Sequence, residues 1–387
     1  MSERRQDGLG GQDNGDKQNK QNEQDEKQPM RHGYTTGACA TAAAKGALTM
    51  LITQQPVSEA EIWLPAGFAH TFELIEGEFT RDMAQVATIK DAGDDPDATH
   101  KAKIVATVTW KDGGGIELDG GVGVGRVTKP GLPVPVGEAA INPVPRRMLT
   151  QMAEELLGEY GIAPSRGVRI VISVPDGEEI AKKTLNARLG IIGGISILGT
   201  RGIVVPFSTA AYKASVIQAL QVAKATGVRH VVLTTGGSSE KYAMKMNPQL
   251  SEEAFIQMGD FVGFSLQHAK RLGMEKISLV GMMGKFSKVA QGVMMVHSKS
   301  APVDFGFLAQ VAAEAGAELQ LQQAIAEANT AAQAGDLAAE AGLSTFFDKL
   351  SEYACRHALE HIGGGVTVET ALVTMKGDVL GRAEIVG

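Results

Sequence analysis

Val228-Arg-His-Val-Val-Leu-Thr-Thr-Gly-Gly-Ser238 and Lys276-Ile-Ser-Leu-Val-Gly-Met-Met-Gly-Lys285 decide the fold class. Each is a short apolar run that breaks into a glycine turn, the pattern of a strand buried on both faces and followed by a tight loop. A helical stretch, Tyr212–Ala225, precedes the first run, and Glu252–Arg271 between the runs carries Phe255, Met258, Val262, Leu266 and Ala269 at helical spacing. Val168–Val174 and Val366–Met375 read as further strands, and 305–361 as mostly helical and alanine-rich. Strands alternating with helices predict an α/β unit with a mainly parallel, Rossmann-like sheet. Ligands of such sheets bind at the carboxyl ends of the strands. Thr235, Gly236, Gly237, Ser238, Gly281 and Gly284 are therefore the candidate cofactor-binding residues.

The preceding half reads as mixed α+β. In Ile104-Val-Ala-Thr-Val-Thr-Trp110 alternate residues share one face, as in a half-buried strand. Glu59–Leu64, Thr71–Ile75 and Met83–Lys90 read as strands too. Ala38–Ile52 is an alanine-rich helix with Thr35 or Thr36 as N-cap. Pro145 opens a helix with Met148, Met152 and Leu156 on one face. Five glycines interrupt Gly190–Pro206, which places the boundary between an α+β unit at 30–197 and the α/β unit at 198–387. Residues 1–29 hold only Met1 and Leu9 as large apolar residues, too few to offset their ordering entropy, so they are expected to be a disordered tail.

Composition excludes several function classes. The chain has 387 residues, 43% of them hydrophobic and 21% charged, ample for a sizeable core without disulfides or a structural metal. The net charge of −7 and 5% aromatic content argue against nucleic-acid binding. Two distant cysteines fit a reducing cytoplasm. No apolar run is long enough for a membrane span, and the first residues lack the apolar core of a secretory signal. No GxGxxG is present, and Gly284-Lys285 lacks the flanking residues of a phosphate-binding P-loop. His357-Ala-Leu-Glu-His361 matches an inverted zincin pattern, but no further ligand follows and Gly363-Gly-Gly365 ends the helix at once, so helix-end packing is the reading preferred and no metal site is assigned.

Three remaining stretches carry chemistry. Arg31-His-Gly-Tyr-Thr-Thr-Gly-Ala-Cys-Ala40 sets a glycine-rich turn before a helix, where free N–H groups and the dipole attract anions and favour a thiolate at Cys39. Lys90-Asp-Ala-Gly-Asp-Asp-Pro-Asp-Ala-Thr-His100 gathers carboxylates and a histidine in one loop; Asp91, Asp94 and His100 are the candidate catalytic bases, with a carboxyl of raised pKa the form such a base would take, while Asp95 and Asp97 flank Pro96 and shape the turn. Gly125-Arg-Val-Thr-Lys-Pro-Gly131 and Ala140-Ile-Asn-Pro-Val-Pro-Arg-Arg147 bring basic groups to loops. Each stretch also has a plain structural reading: a capped helix, a solvated acidic turn, surface charges.

These motifs, HGYTTGACA, KDAGDDPDATH, GRVTKPGL, INPVPR and GISILGTRGIV in that order, strongly resemble the CbiD family over about Met30 to Gly387. The pattern departs from the family's at Ala38 and Arg201. Members are cobalt-precorrin-5B C1-methyltransferases of anaerobic cobalamin biosynthesis. The resemblance implies that S-adenosylmethionine supplies a methyl group to C1, giving cobalt-precorrin-6A, with cobalt present only as part of the substrate. It implies a corrinoid partner, allows transient contact with other enzymes of the pathway, and says nothing of oligomeric state. Because the substrate is a polycarboxylate, Tyr34, Thr35, Thr36, Gly37, Cys39, Lys129, Asn142 and Arg146 are the candidate substrate-binding residues. Two other readings stay open: a methyltransferase on another reduced tetrapyrrole, and a non-catalytic corrinoid-binding or channelling protein.

Overall fold

A computed structural model describes residues 29–387; the tail expected at 1–29 lies, save Pro29, outside them. The chain builds two units, each with its own core.

The first unit is organised around helix α1 (Thr36–Thr53). Thr35 caps it, its side chain accepting from Ala38 N, and Gln54 ends it in the left-handed region. The alanines at 38, 40, 42, 43, 44 and 47 are fully buried. A helix enclosed on all sides must be thin, and alanine makes it so while keeping the highest helix propensity. It packs on a five-stranded sheet made of β1 (Ile75–Phe79), β2 (Met83–Ile89), β3 (Lys103–Asp112), β4 (Ile116–Gly120) and β5 (Arg166–Ser173), in the order β1-β2-β3-β5-β4. All neighbours are antiparallel except β5 and β4. The hairpin Glu59–Leu64/Phe68–Glu73 and helix α2 (Pro143–Glu159) close the core, α2 burying Pro145, Leu149, Met152, Ala153 and Leu156. Ile203–Val204 pairs with Gly33–Tyr34, so the chain returns to the first unit beyond residue 197 before it leaves.

The second unit begins at α3 (Thr209–Ala225). Its sheet comprises β6 (His230–Thr234), β7 (Phe255–Gln257), β8 (Lys276–Gly281), β9 (Thr367–Val373) and β10 (Val379–Val386), in the order β7-β6-β8-β9-β10. The first four are parallel and β10 is antiparallel. This is the doubly wound 2-1-3-4-5 order, with its topological switch point between β6 and β8. Helix α4 (Gly237–Met246) covers one face; α3, α5 (Val262–Arg271), α6 (Met283–Ala290) and α7 (Ser344–Ile362) cover the other.

One sequence expectation fails here, and one strand is added. Glu252–Arg271 is not one helix: a 3-10 turn leads into β7, and only Val262–Arg271 is helical. Phe255 and Ile256 are buried as a strand beside β6, and Gly259 at φ 59° turns the chain into α5. Strand β10, with Arg382, Glu384 and Val386 among its exposed positions, lies beyond Val366–Met375, the last strand expected from the sequence. Among the described residues no helix is long and apolar enough to cross a membrane.

Candidate functional site

Three motif segments are knitted together at one face of the first unit. Tyr34 N donates to Asp91 O (2.7 Å), Thr35 N to Gly202 O (3.0 Å), and His32 bridges to Gly93. The crossing is close enough to require glycine: a Cβ on Gly33 would lie 2.0 Å from Ala92 C, and one on Gly93, at φ 67°, would lie 2.2 Å from Arg31 O. The other two motifs pack alongside, with Gly125 N donating to Ile195 O (2.9 Å) and Asn142 N to Ile197 O (2.9 Å).

The join opens a cleft of about 170 Å³ lined by Tyr34, His70, Thr71, Phe72, Glu73, Ile75, Thr88, Ile89 and Asp91. Tyr34 stacks on His70, with ring centroids 4.0 Å apart and planes 16° apart. The 3.0 Å contact of Tyr34 Oη with His70 Nδ1 therefore crosses the stack instead of lying in the imidazole plane. Burial pushes the His70 imidazole toward its neutral form and raises the Tyr34 phenol. Sequence reading missed His70, which sits in a hairpin strand with no local motif.

The acidic loop is ordered by its own partners. The Arg31 guanidinium grips the Asp91 carboxylate through both nitrogens and holds its pKa down at about 2. Asp91 is thus a firmly ionised group, the reverse of the raised-pKa base expected. Asp94 accepts from Arg31 N (2.6 Å). His100 Nδ1 accepts from Ala92 N (3.1 Å), and lies 3.9 Å from Asp91. Asp97 binds the buried Lys90 (2.7 Å) together with Thr99, so it shapes the turn. Arg31, His32, His100, Lys101 and Arg201 are exposed around this join.

Several candidate substrate contacts are directed elsewhere. Thr35, Thr36 and Gly37 are buried. Gly37 N donates to Leu198 O (2.9 Å), Ala38 N to the Thr35 hydroxyl (3.2 Å), and Leu198 N to the Thr36 hydroxyl (2.9 Å), so the loop at 196–199 occupies the place expected for an anion. Cys39 is fully buried, and burial pushes its thiol up to about 12, which overturns the expected thiolate. Lys129 pairs with Glu253 (2.6 Å), and Arg146 with Glu138 (2.8 Å) and the Ile141 carbonyl (2.8 Å). Asn142 begins α2 without a side-chain cap and lines a small cavity of about 40 Å³ with Asn186, Ser196 and Gln218. Of that set only Tyr34 lines the larger cleft.

At the second sheet, the Thr235–Ser238 turn leaves β6 at the switch point. A Cβ on Gly236 or Gly284 would meet nothing within 4 Å, and one on Gly237 only Gln257 Nε2 at 3.9 Å. Gly281 differs: its missing Cβ is replaced by the Phe286 ring at 2.1 Å, so that glycine serves packing. Ser239 Oγ, not Ser238, ties the turn, accepting from Gly236 N (3.2 Å). Arg188 of the first unit reaches this edge and pairs with the buried Glu240 (2.5 and 3.1 Å), which also accepts from Gln257 Nε2 (2.8 Å). Phe207 N donates to Asp95 Oδ1 (2.9 Å), and α3 starts two residues later, after its N-cap Ser208; its Tyr212 lies against Gly259 beyond β7. The acidic loop and the carboxyl edge of the second sheet are therefore joined by about one helical turn.

The HxxEH histidines are engaged locally: His357 Nδ1 contacts Glu360 (3.0 Å) and His361 Nε2 contacts Gln267 (3.1 Å). Among the described residues no group of three or more His, Cys, Asp or Glu is placed to hold a metal ion.

The fold defines a two-unit class: an α+β unit that carries the motif face, followed by a doubly wound sheet with open glycine turns. Family comparison matches residues 23–206 to CbiD and 295–384 to the CbiD C-terminal domain. The chain belongs to the CbiD family. It is 65% identical over 359 residues to the cobalt-precorrin-5B C(1)-methyltransferase of Priestia megaterium, covering 92% of this chain and 97% of that protein. The protein of the same name from Thermus thermophilus is 46% identical over 346 residues, covering 89% and 92%. A crystal structure of the cobalamin biosynthesis protein (cbiD) from Archaeoglobus fulgidus matches with 27% identity and TM-score 0.37, covering 81% of this chain and 85% of that one.

Proposed function

We propose that this chain transfers a methyl group from S-adenosylmethionine to C1 of cobalt-precorrin-5B, giving cobalt-precorrin-6A, and does so in the cytoplasm. The observation that carries the reading is the junction of Asp95 with Phe207 N, which sets the motif face beside the carboxyl edge of the second sheet. Methyl transfer needs two ligands held in line with water excluded, chiefly a matter of proximity and orientation. Two units meeting at such an edge supply two adjoining surfaces.

The corrinoid belongs on the motif face. Its carboxylates find Arg31, His32, His100, Lys101 and Arg201 exposed there, and the cleft beside Tyr34 and His70 takes one edge of the macrocycle. Asp91, kept ionised by Arg31, anchors that guanidinium at the rim and is not the base. With Nδ1 accepting from Ala92 N, the neutral His100 ring carries its hydrogen on Nε2, so its free nitrogen is a donor suited to a substrate carboxylate and not a base for a ring proton.

The cofactor belongs at Thr235, Gly236, Gly237, Ser238 and Gly284. The donor set fits: open glycine backbone admits a nucleoside, and the Asp260 carboxylate, ion-paired to Lys285, follows the neighbouring strand β7. When bound there, S-adenosylmethionine offers a sulfonium methyl to an electron-rich ring carbon. The C–CH₃ bond forms as the S–CH₃ bond breaks, and its electron pair stays on sulfur. Calorimetry with S-adenosylhomocysteine tests the placement. Wild type binds and Gly237→Val, in a folded protein, loses affinity; undiminished binding by Gly237→Val would refute the site. A wild type that binds the corrinoid but not S-adenosylhomocysteine, with corrinoid present or absent, would be a carrier.

A further inference from the structure

We infer that Asp260 receives the ribose hydroxyls of the nucleoside cofactor at the switch point of the second sheet, which makes it a specificity-determining residue. The inference rests on the cofactor reading above and adds to it a residue that no motif contains.

Topology places this carboxylate. Asp260 follows β7 by two residues beyond Met258, whose N–H still donates to Thr234 O as if the pairing with β6 continued. Its partner Lys285 stands in the first turn of α6, just after β8. Strands β7 and β8 flank β6 on either side, about 10 Å apart. An ion pair joining their two loops therefore passes over the carboxyl end of β6, where the Thr235–Ser238 turn emerges. In doubly wound sheets this crevice takes the ligand, and an acidic residue about 20 positions past the glycine turn accepts from ribose.

The carboxylate has capacity to spare. Asp260 Oδ1 is ion-paired with Lys285 Nζ at 2.9 Å. An ionised carboxylate offers about four lone-pair sites on its two oxygens, so one ammonium leaves acceptor sites for further donors. A vicinal diol, with two O–H donors and no charge, matches an ionised acceptor already balanced by lysine. Tyr212 stands at the same edge; burial first, then the charges of Asp260 and Glu240, raise its phenol, so it stays a neutral wall beside the carboxylate. Gly236, Gly237 and Gly284 leave the neighbouring space open.

The test is calorimetry on the full chain with S-adenosylhomocysteine and its 2′,3′-dideoxyribose analogue. Asp260→Ala should weaken S-adenosylhomocysteine by about tenfold or more, the scale for hydrogen bonds to a charged acceptor. Wild type should prefer S-adenosylhomocysteine over the analogue by a similar factor, and Asp260→Ala should lose that preference. Lys285→Ala removes the half-exposed counter-ion but keeps the acceptor, and should stay within about threefold of wild type. Asp260→Asn, of unchanged volume, guards against a folding defect and should also lose the preference. If Asp260→Ala and Asp260→Asn keep both affinity and preference, the inference is overturned while the cofactor reading stands. If wild type binds neither compound, both fall.

Discussion

Glu240→Ala probes how the two units are fastened at the edge where the cofactor is proposed to sit. Glu240 is 5% exposed and takes three hydrogen bonds, two from Arg188 and one from Gln257. The side chain of Arg188 is only 19% exposed. Removing the carboxylate strands a largely buried guanidinium, for which the usual cost is about 3–5 kcal/mol. Arg188 retains partial solvent access and a second carboxylate, Glu252 at 3.6 Å, so the low end applies: about 3 kcal/mol. For a unit of this size that corresponds to a fall in Tm of roughly 6–12 °C. Differential scanning calorimetry with urea titration measures both. The paired change Arg188→Met with Glu240→Met removes the charges together and should cost no more than about 1–2 kcal/mol, chiefly for the orphaned Gln257 amide. The reasoning fails if Glu240→Ala lies within about 0.5 kcal/mol of wild type, the range of an ordinary surface substitution.

Other outcomes follow from particular contacts. Gly33→Ala drives a Cβ to 2.0 Å from the Ala92 backbone and should cost about 3 kcal/mol, whereas Gly158→Ala in the last turn of α2, with no neighbour within 4 Å, should gain about 0.5–1 kcal/mol; urea unfolding of both checks the contrast. Cys39, buried and pushed up to about 12, should resist disulfide-exchange reagents at pH 8 until the protein unfolds, and labelling at the rate of a free thiol would contradict its position. Burial raises Glu369, but hydrogen bonds from Ser278, Arg382 and Lys276 outweigh it and hold its pKa below the ordinary value. Its stabilisation is therefore complete above the unfolded-state pKa and fades as pH falls through the lower folded one. Glu369→Gln should flatten the loss of stability below about pH 4.3, and an unchanged pH slope would count against the network.

The parts of the fold legible in sequence were those written in local pattern. Runs such as Val231–Leu233 and Ile277–Val280 are apolar, save the buried Ser278, because both faces are covered, and they mark the parallel sheet. Strand β7 was hidden because Phe255 and Met258 fit a helical period as well as a strand; Gly259 was the one local sign of a break. In the motif face, Tyr34 and Asp91 were singled out and do share a cleft. Their surroundings were not legible, since His70 is brought in by a hairpin strand distant in sequence. The same blindness misdirected Lys129 and Arg146: an isolated cation reads as available, and the carboxylates that engage them are set by tertiary structure. For Cys39 the position at a helix start was read correctly, but enclosure by alanine-lined core outweighs the helix dipole.

The central claim is that this chain methylates a corrinoid at C1. Its most direct test is incubation of the purified chain with cobalt-precorrin-5B and S-adenosylmethionine carrying a labelled methyl group, followed by carbon NMR and mass spectrometry of the corrinoid. The account predicts one labelled methyl per macrocycle, located at C1, with one S-adenosylhomocysteine released for each. Binding of both compounds without transfer of label, or label at another ring carbon, would contradict it.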